Sequence, residues 1–530
     1  MKKSILLIAF ILISFAAATP QSCLPEGITF STQEQIDNFQ TNYPGCAEIE
    51  GDVTIQGNDI TNLNGLRVLT SISGNFEIRS NSSLGSLAGL IGLTSIGGYL
   101  WINNNSTLSN LTGLEGLTSI GGYFWISDNT SLTSFTGLVN LASIGGELWI
   151  TGNYLTNLSG LGGLTYVGGT VRIDNSDLIN LAGIEGLSSI GGSLLILDNL
   201  ALNNLTGLNG LTYIAGGLWI GGWFGGNSSL TSLTGLESLD SIGGYFDISK
   251  NDALINLNAL NNLTHIGEGV SISKNNNLNS LSGLNNLTQI CGGLNLDFNS
   301  SLKSLTGLNN LTSISGQLRI TNTSLSNLTG LEKLNFIGNI LTIELNHDLV
   351  SLMGLNHLKS IGGYLFINYN STLTSLTGLD SISAGSISEL FIRDNTSLST
   401  CEVKSICDYL AAPNGIVDIS NNGPGCNNPE EVTEACESSS IEVIGGEDGF
   451  TVFPNPFTDQ LSIELSLDQP SRITVAVYNN MGQLESKPAE KELYPGLNQL
   501  QWDSSSLTPG IYLLHLQVGQ KIITQKVLKY

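Results

Sequence analysis

The segment LTSIGGYLWI at 93–102 recurs as LTSIGGYFWI (117–126), LASIGGELWI (141–150) and LKSIGGYLFI (358–367). No other feature of the chain constrains its fold as tightly. The Ile or Val before the small-residue pair serves as a marker: Ile72, Ile96, Ile120, Ile144, Val167, Ile190, Ile214, Ile242, Ile266, Ile290, Ile314, Ile337 and Ile361. The steps are 23 or 24 residues, with one of 28 between Ile214 and Ile242. A repeat of that period predicts a stacked solenoid, in which each unit buries its apolar face against its neighbours. Within a unit, Leu100 and Ile102 alternate with Tyr99, Trp101 and Asn103, the pattern of a strand with one buried face. Leu108, Leu111, Leu114 and Leu117 follow at a spacing of three. Gly113 and the Ser/Thr/Asn filling argue for short turns or brief second strands there, not a helix. The recurring Asn105, Asn129, Asn153, Asn251, Asn275, Asn370 and Asn395 are expected to form an internal ladder that satisfies backbone groups where the chain leaves the strand. Gly113 and its counterparts suit a tight bend. The expected fold class is all-β: a leucine-rich β-solenoid of about fourteen coils, with short helical caps and a small antiparallel β-sandwich after it.

A stack exposes its core at both ends, so caps are expected. Residues 1–18 read as a signal peptide: Lys2 and Lys3, an apolar run from Ile5 to Phe15, and Ala16-Ala17-Ala18 for cleavage. Residues 19–45 are the expected N-terminal cap, where Ser31-Thr32-Gln33-Glu34 has the pattern of a capping box opening a short helix. The repeats occupy 46–400. Residues 401–436 form a cysteine-bounded C-terminal cap, with Pro429 at the start of its second helical stretch. Export makes disulfides the default. Cys23 and Cys46 are expected to bridge, and Cys401, Cys407, Cys426 and Cys436 to bridge among themselves in a connectivity left open. Cys291 occupies the repeat slot of Gly97 and Gly121 and is expected to be free, packed and inert. Residues 437–449 are Ser/Gly/acidic and read as a linker. Over 450–530 alternating runs such as Ile473 to Val477 and Ile511 to Val518, between turn signals at Asn479-Asn480 and Pro509-Gly510, predict the sandwich.

The segment beginning at Cys46, the units from 72–78 (ISGNFEI) to 390–392 (LFI), and the cysteine-bounded end module resemble the receptor L-domain type of leucine-rich repeat. That resemblance implies the architecture, and a binding or adhesion surface without a specified ligand. The tail resembles the C-terminal sorting domain of the type IX secretion system of Bacteroidetes-type bacteria. Its matching elements are Phe453-Pro454-Asn455-Pro456, Asn480-Met481-Gly482-Gln483, Leu507 to Tyr512 with Gly510, and Lys526-Val527-Leu528-Lys529. Phe453 replaces the family's usual Tyr, and Tyr530 follows the terminal lysine. The resemblance implies the type IX secretion machinery as partner and passage across the outer membrane. Release or surface attachment would follow, commonly with loss of this domain.

Charge narrows the partners. With 19 basic against 44 acidic residues and a net charge of −25, the chain lacks the cations that nucleic-acid binding requires. None of His265, His347, His357 and His515 has a metal-ligand partner at i, i+4, and no nucleophile motif is present. Asp174, Asp247, Asp297 and Glu344 fall on separate strands, whereas two-carboxylate hydrolysis needs groups within about 5–9.5 Å. No enzyme, metal or cofactor is expected, and the 221–226 insertion (GGWFGG) lacks the Lys and Ser/Thr of a phosphate loop. The candidate site is aromatic. Trp101, Trp125, Trp149 and Trp219 share one outward strand position, Tyr99 and Tyr123 the preceding one, and Trp223 stands nearby in the insertion. These rings are expected to form an exposed ladder with rungs about 4.8 Å apart. Glu147 and Asn103 would be polar contacts for a sugar lying on the ring faces. An apolar patch of this kind marks an interaction site. The expected function is an exported cell-surface or secreted binding or adhesion protein for a glycan or a protein ligand. A structural spacer and a polysaccharide-active enzyme are the alternatives.

Overall fold

The computed structural model describes residues 21–174, 176–439, 450–467, 469–479, 482–518 and 521–530. The expected signal peptide and most of the expected linker lie outside these residues. The chain divides into two compact units, 1–432 and 433–530.

In the first unit every coil contributes one main strand. Each strand pairs in parallel with its counterparts one coil before and one after, in residue-for-residue register: Leu100, Phe124 and Leu148 align, as do Trp101, Trp125 and Trp149. The ladder holds 17 such strands, from Ile28–Phe30 to Val417–Ser420. That exceeds the fourteen coils expected: Ile28–Phe30 and Val417–Ser420 lie in segments read as caps, and Val53–Ile55 is an unmarked coil at the start of the expected repeats. Ile28–Phe30 and Val53–Ile55 precede the first marked coil, and Leu390–Arg393 and Val417–Ser420 follow the last. They lack the Ile-Gly-Gly marker but keep the inward alternation, and inward burial is what stacking requires.

Two-residue strands such as Ser95–Ile96 form a second parallel face. The leucines spaced by three lie in turns, with 3₁₀ geometry at Asn64–Leu66, Ala88–Leu90 and Asn258–Leu260. Leu100, Ile102, Leu108, Leu111, Leu114, Leu117 and Ile120 are all fully or almost fully buried, so each coil adds one layer to a continuous core. The asparagine ladder forms as expected. Asn105 Nδ2 donates to Ile78 O at 2.9 Å, and its Oδ1 accepts from the Asn81 N–H at 3.2 Å. Asn129 repeats this against Ile102 and Asn105, while Ser176 and Thr323 take the position in two coils. Gly113 adopts φ +115°, and a Cβ there would lie 2.0 Å from Leu87 O. Only glycine fits this bend.

The N-terminal helix Gln33–Asp37 begins one residue later than the sequence pattern suggested. Thr32 is the N-cap, and Gln35, not Glu34, completes the capping box: its Oε1 accepts from the N–H of Ser31 and of Thr32. Cys23–Cys46 and Cys401–Cys426 are disulfides; Cys407 and Cys436 are also disulfide-bonded. Cys291 is free, as expected, but it is exposed and not packed. The small residues of its slot reflect close passage of the preceding coil at the surface: a Cβ at Gly97 would lie 2.4 Å from Ser73 O. Proximity to backbone, not burial in the core, selects glycine there. The second face is interrupted at this coil, with His265–Ile266 ending an 11-stranded sheet and Gln289–Ile290 beginning a 4-stranded one.

The second unit contains the expected antiparallel sandwich. One sheet joins Thr451–Phe453, Gln460–Leu467 and Gly496–Asp503. The other joins Leu484–Leu493, Ser471–Asn479, Gly510–Val518 and Lys521–Lys529. Leu461, Ile463, Ile473, Val475, Val477, Leu514 and Val527 pack between them.

Candidate functional site: the aromatic end of the main sheet

The second position of each main strand points out of the solenoid, and parallel register brings these side chains into one row. Glu77, Trp101, Trp125, Trp149, Arg172, Leu195, Trp219 and Asp247 succeed one another along it. The expected aromatic ladder is therefore contiguous from Trp101 to Trp149, but its rings are half-buried and packed against one another. Trp101 and Trp125 stack at 5.3 Å and 18°, Trp125 meets Trp149 edge to face at 5.2 Å, and Tyr99 stacks on Tyr123 at 4.4 Å and 8°. The Nε1 atoms of Trp101, Trp125 and Trp149 are buried, without a hydrogen-bond partner among the described residues.

The polar neighbours are engaged as well. The Tyr99 hydroxyl donates to Glu77 Oε1 at 2.6 Å. Burial first, and then that carboxylate, hold the Tyr99 phenol well above its usual range. Asn103 Nδ2 donates to Ser127 Oγ at 2.7 Å and Asp128 Oδ2 at 3.1 Å. Glu147 is half-buried beside Gly169, where a Cβ would lie 2.8 Å from its Cγ. The ladder expected to be exposed is half-buried at these residues, because rungs spaced at one strand separation bring each ring against the next.

Beyond Trp149 the row changes character. Arg172 is held by Asp174, donating from Nε at 3.0 Å and from the terminal nitrogen at 2.6 Å. Its guanidinium lies 5.9 Å from the ring centre of Trp149 and 5.7 Å from that of Trp223, so it joins the ladder to the insertion. Next comes a cavity of about 350 Å³ lined by Leu195, Leu197, Trp219, Trp223, Thr170 and Ser193. Gly217 makes room for the Trp219 ring, from which a Cβ there would sit 2.3 Å. Leu197 points outward yet is only 6 % exposed. Beside Trp219, burial raises the carboxyl pKa of Asp247 against the lowering effect of the Ser249 and Ser271 hydroxyls.

The insertion itself is fixed by one carboxylate. Asp198 Oδ1 accepts from the N–H groups of Phe224, Gly225 and Gly226 at 3.2, 3.0 and 2.8 Å, and Oδ2 from that of Trp223 at 3.2 Å. Burial alone would raise its pKa, but the four amides outweigh it and hold the carboxyl below its ordinary value. Lys250 Nζ donates to Trp223 O at 2.6 Å from the other side. So anchored, the loop presents Trp223 at 69 % and Phe224 at 87 % exposure. Sequence reasoning named Trp219 and Trp223 but missed Arg172, Leu195, Leu197, Asp198 and Phe224. The 28-residue step was the available signal for the last two.

The carboxylates set aside as separated are not all so. Asp297 and Glu344 stand two strands apart with Arg319 between them, at 3.0 and 4.0 Å. A further aromatic group, also missed, lies farther along the row, where Phe366 stacks on Phe391 at 4.5 Å beside Tyr364.

In the second unit the motif residues form one constellation around the last strand. The Asn455 side chain pairs with that strand like an added rung, donating to Lys526 O at 3.0 Å and accepting from the Leu528 N–H at 2.9 Å. Lys529 is 5 % exposed, its ammonium donating to Ser504 O at 3.0 Å and to Thr458 O. The Tyr512 hydroxyl donates to Thr508 O at 2.8 Å, four residues back across Gly510. Pro454 and Pro456, on either side of Asn455, both follow cis peptide bonds. Gly482 turns at φ +75°; Asn480 and Met481 lie outside the described residues. No curated protein matches the chain. Residues 451–530 match the family model described as the secretion system C-terminal sorting domain, so this unit is a type IX sorting domain, which implies secretion or cell-surface localisation and interaction with the type IX machinery.

Proposed function

We propose that the chain is an exported surface or secreted binding protein whose solenoid holds a glycan without turning it over, in the cleft between Trp219 and Trp223. The observation that carries this reading is Trp223: a large apolar ring, 69 % exposed, on a loop pinned by four backbone bonds to Asp198. A rigid exposed aromatic beside an apolar cleft loses little entropy on binding and suits the CH face of a pyranose ring. In this reading the Trp101–Trp149 ladder is the supporting flank of the site. Removal of the signal peptide, and of the sorting domain after passage, belongs to the same proposal.

Binding of the full chain to a polysaccharide panel tests it. Trp223→Ala should weaken glycan binding at least tenfold with an unchanged melting temperature. Full retention of binding by that variant, with loss in Trp125→Ala/Trp149→Ala at unchanged stability, would return the site to the ladder.

A further inference from the structure

The insertion has two sides, and the cleft with Trp223 occupies only one. On the other, Phe224, Gly225, Lys250, Asp252, Lys274, Asn276 and Phe298 line a second cavity of about 380 Å³. It lies at the corner where the chain leaves the main strands. We propose that this corner cavity is a subsite for a sugar carrying a carboxylate, a uronate unit of an acidic polysaccharide. The proposal rests on the glycan reading above and names the class of glycan.

Three observations support it. The first is charge. In a chain with 19 basic residues against 44 acidic ones, two lysines from adjacent coils, Lys250 and Lys274, line one cavity that holds a single carboxylate, Asp252. The second is shape. Phe224 and Phe298, 87 % and 42 % exposed, supply apolar walls at a size that fits a ring. Asn276 and Asp252 line the same cavity as a polar pair, with Asn276 Nδ2 donating to Asp252 Oδ1 at 2.9 Å and Ser300 Oγ donating to Asn276 Oδ1 at 3.3 Å. Such a pair offers oriented partners for sugar hydroxyls.

The third is conformation. Lys250, Lys274 and Phe298 take the corner position of three successive coils at φ +57°, +56° and +56°. Ser80, Asn104, Asp128, Gly152, Asp198, Asn322, Asp394 and Asn421 stand there elsewhere, all but Ser80 being residue types that accept this region readily. Leu345 and Tyr369 are the other large residues so placed. Placing two lysines and a phenylalanine at positions that favour Asn or Gly costs stability, and the three side chains meet around one cavity.

Titration of the full chain with polygalacturonate and alginate, and with methyl-esterified polygalacturonate whose carboxylates are neutral, tests the assignment. The expected result is binding of a polyuronate at least tenfold tighter than of the ester. Phe224→Ala and Lys274→Gln, both at exposed positions, should each reduce that binding tenfold or more at an unchanged melting temperature. Equal affinity for acid and ester overturns the proposal. So does polyuronate binding that survives both substitutions but is lost in Trp223→Ala, an outcome that leaves the glycan reading standing. Binding of neutral glycans alone also overturns it, and absence of binding to any glycan overturns both.

Discussion

Asp198 has one role in building the candidate site, and its residue type alone does not announce it. It occupies the left-handed corner at φ +55°, as Asp128 and Asp394 do. What distinguishes it is the longer coil that follows, whose extra residues curl back so that four amides point at one carboxylate. Charge-assisted hydrogen bonds of this kind contribute about 1.5–3 kcal/mol each when a partner is removed. Asp198→Ala should therefore free the loop without unfolding the coils beneath it. Limited digestion with a protease specific for aromatic residues should cut after Trp223 or Phe224 at least tenfold faster than in the parent, with a melting temperature within a few degrees. The same carboxylate sets a pH dependence. Its pKa is lower in the fold than the ordinary 3.8, so its stabilisation is fully present above about pH 4 and is lost as pH falls through the lower folded value. Hydrogen exchange of the 223–226 amides, corrected for intrinsic rates, should show constant protection from pH 7 to about 4 and a decline below that.

At the scale of the strand and coil, the repeat made most of the structure legible. Alternation told inward from outward residues, and Asn105 with its counterparts announced a ladder because an amide recurring at a strand exit has few other uses. What the pattern could not convey is how a side chain leans once it points outward. That depends on the residues one coil above and below, and between Trp101 and Trp125 the lowest-energy answer is ring against ring. The same limit explains Cys291: a period of 24 identifies a slot for small residues, but not whether core or neighbouring backbone makes it small. The coils of Ile28–Phe30 and Val417–Ser420 were read as caps for a different reason, since they keep the burial but not the marker. If the ladder is a structural flank, Trp125→Ala/Trp149→Ala should lower unfolding free energy by about 2–4 kcal/mol, from lost stacking and apolar burial. The denaturant midpoint reports this, and glycan affinity should stay within about twofold. An unchanged midpoint would show that the stack contributes nothing.

At the scale of the whole molecule the chain separates an address from a cargo. The sorting motifs were legible through their resemblance to the family, and three of their residues are engaged around the last two strands: Asn455 pairs with the final strand, Lys529 at its end is buried, and Tyr512 closes the turn that precedes its partner strand. The solenoid carries no comparable set, so its ligand had to be argued from shape and charge. The central claim, that 450–530 directs export and the solenoid is what is exported, is tested most directly by deleting Phe450 to Tyr530 in a host with a type IX system. Cell fractionation should find the truncated chain in the periplasm, with its solenoid protease-resistant. Delivery of that truncation to the surface or the medium at the parental level would contradict the account.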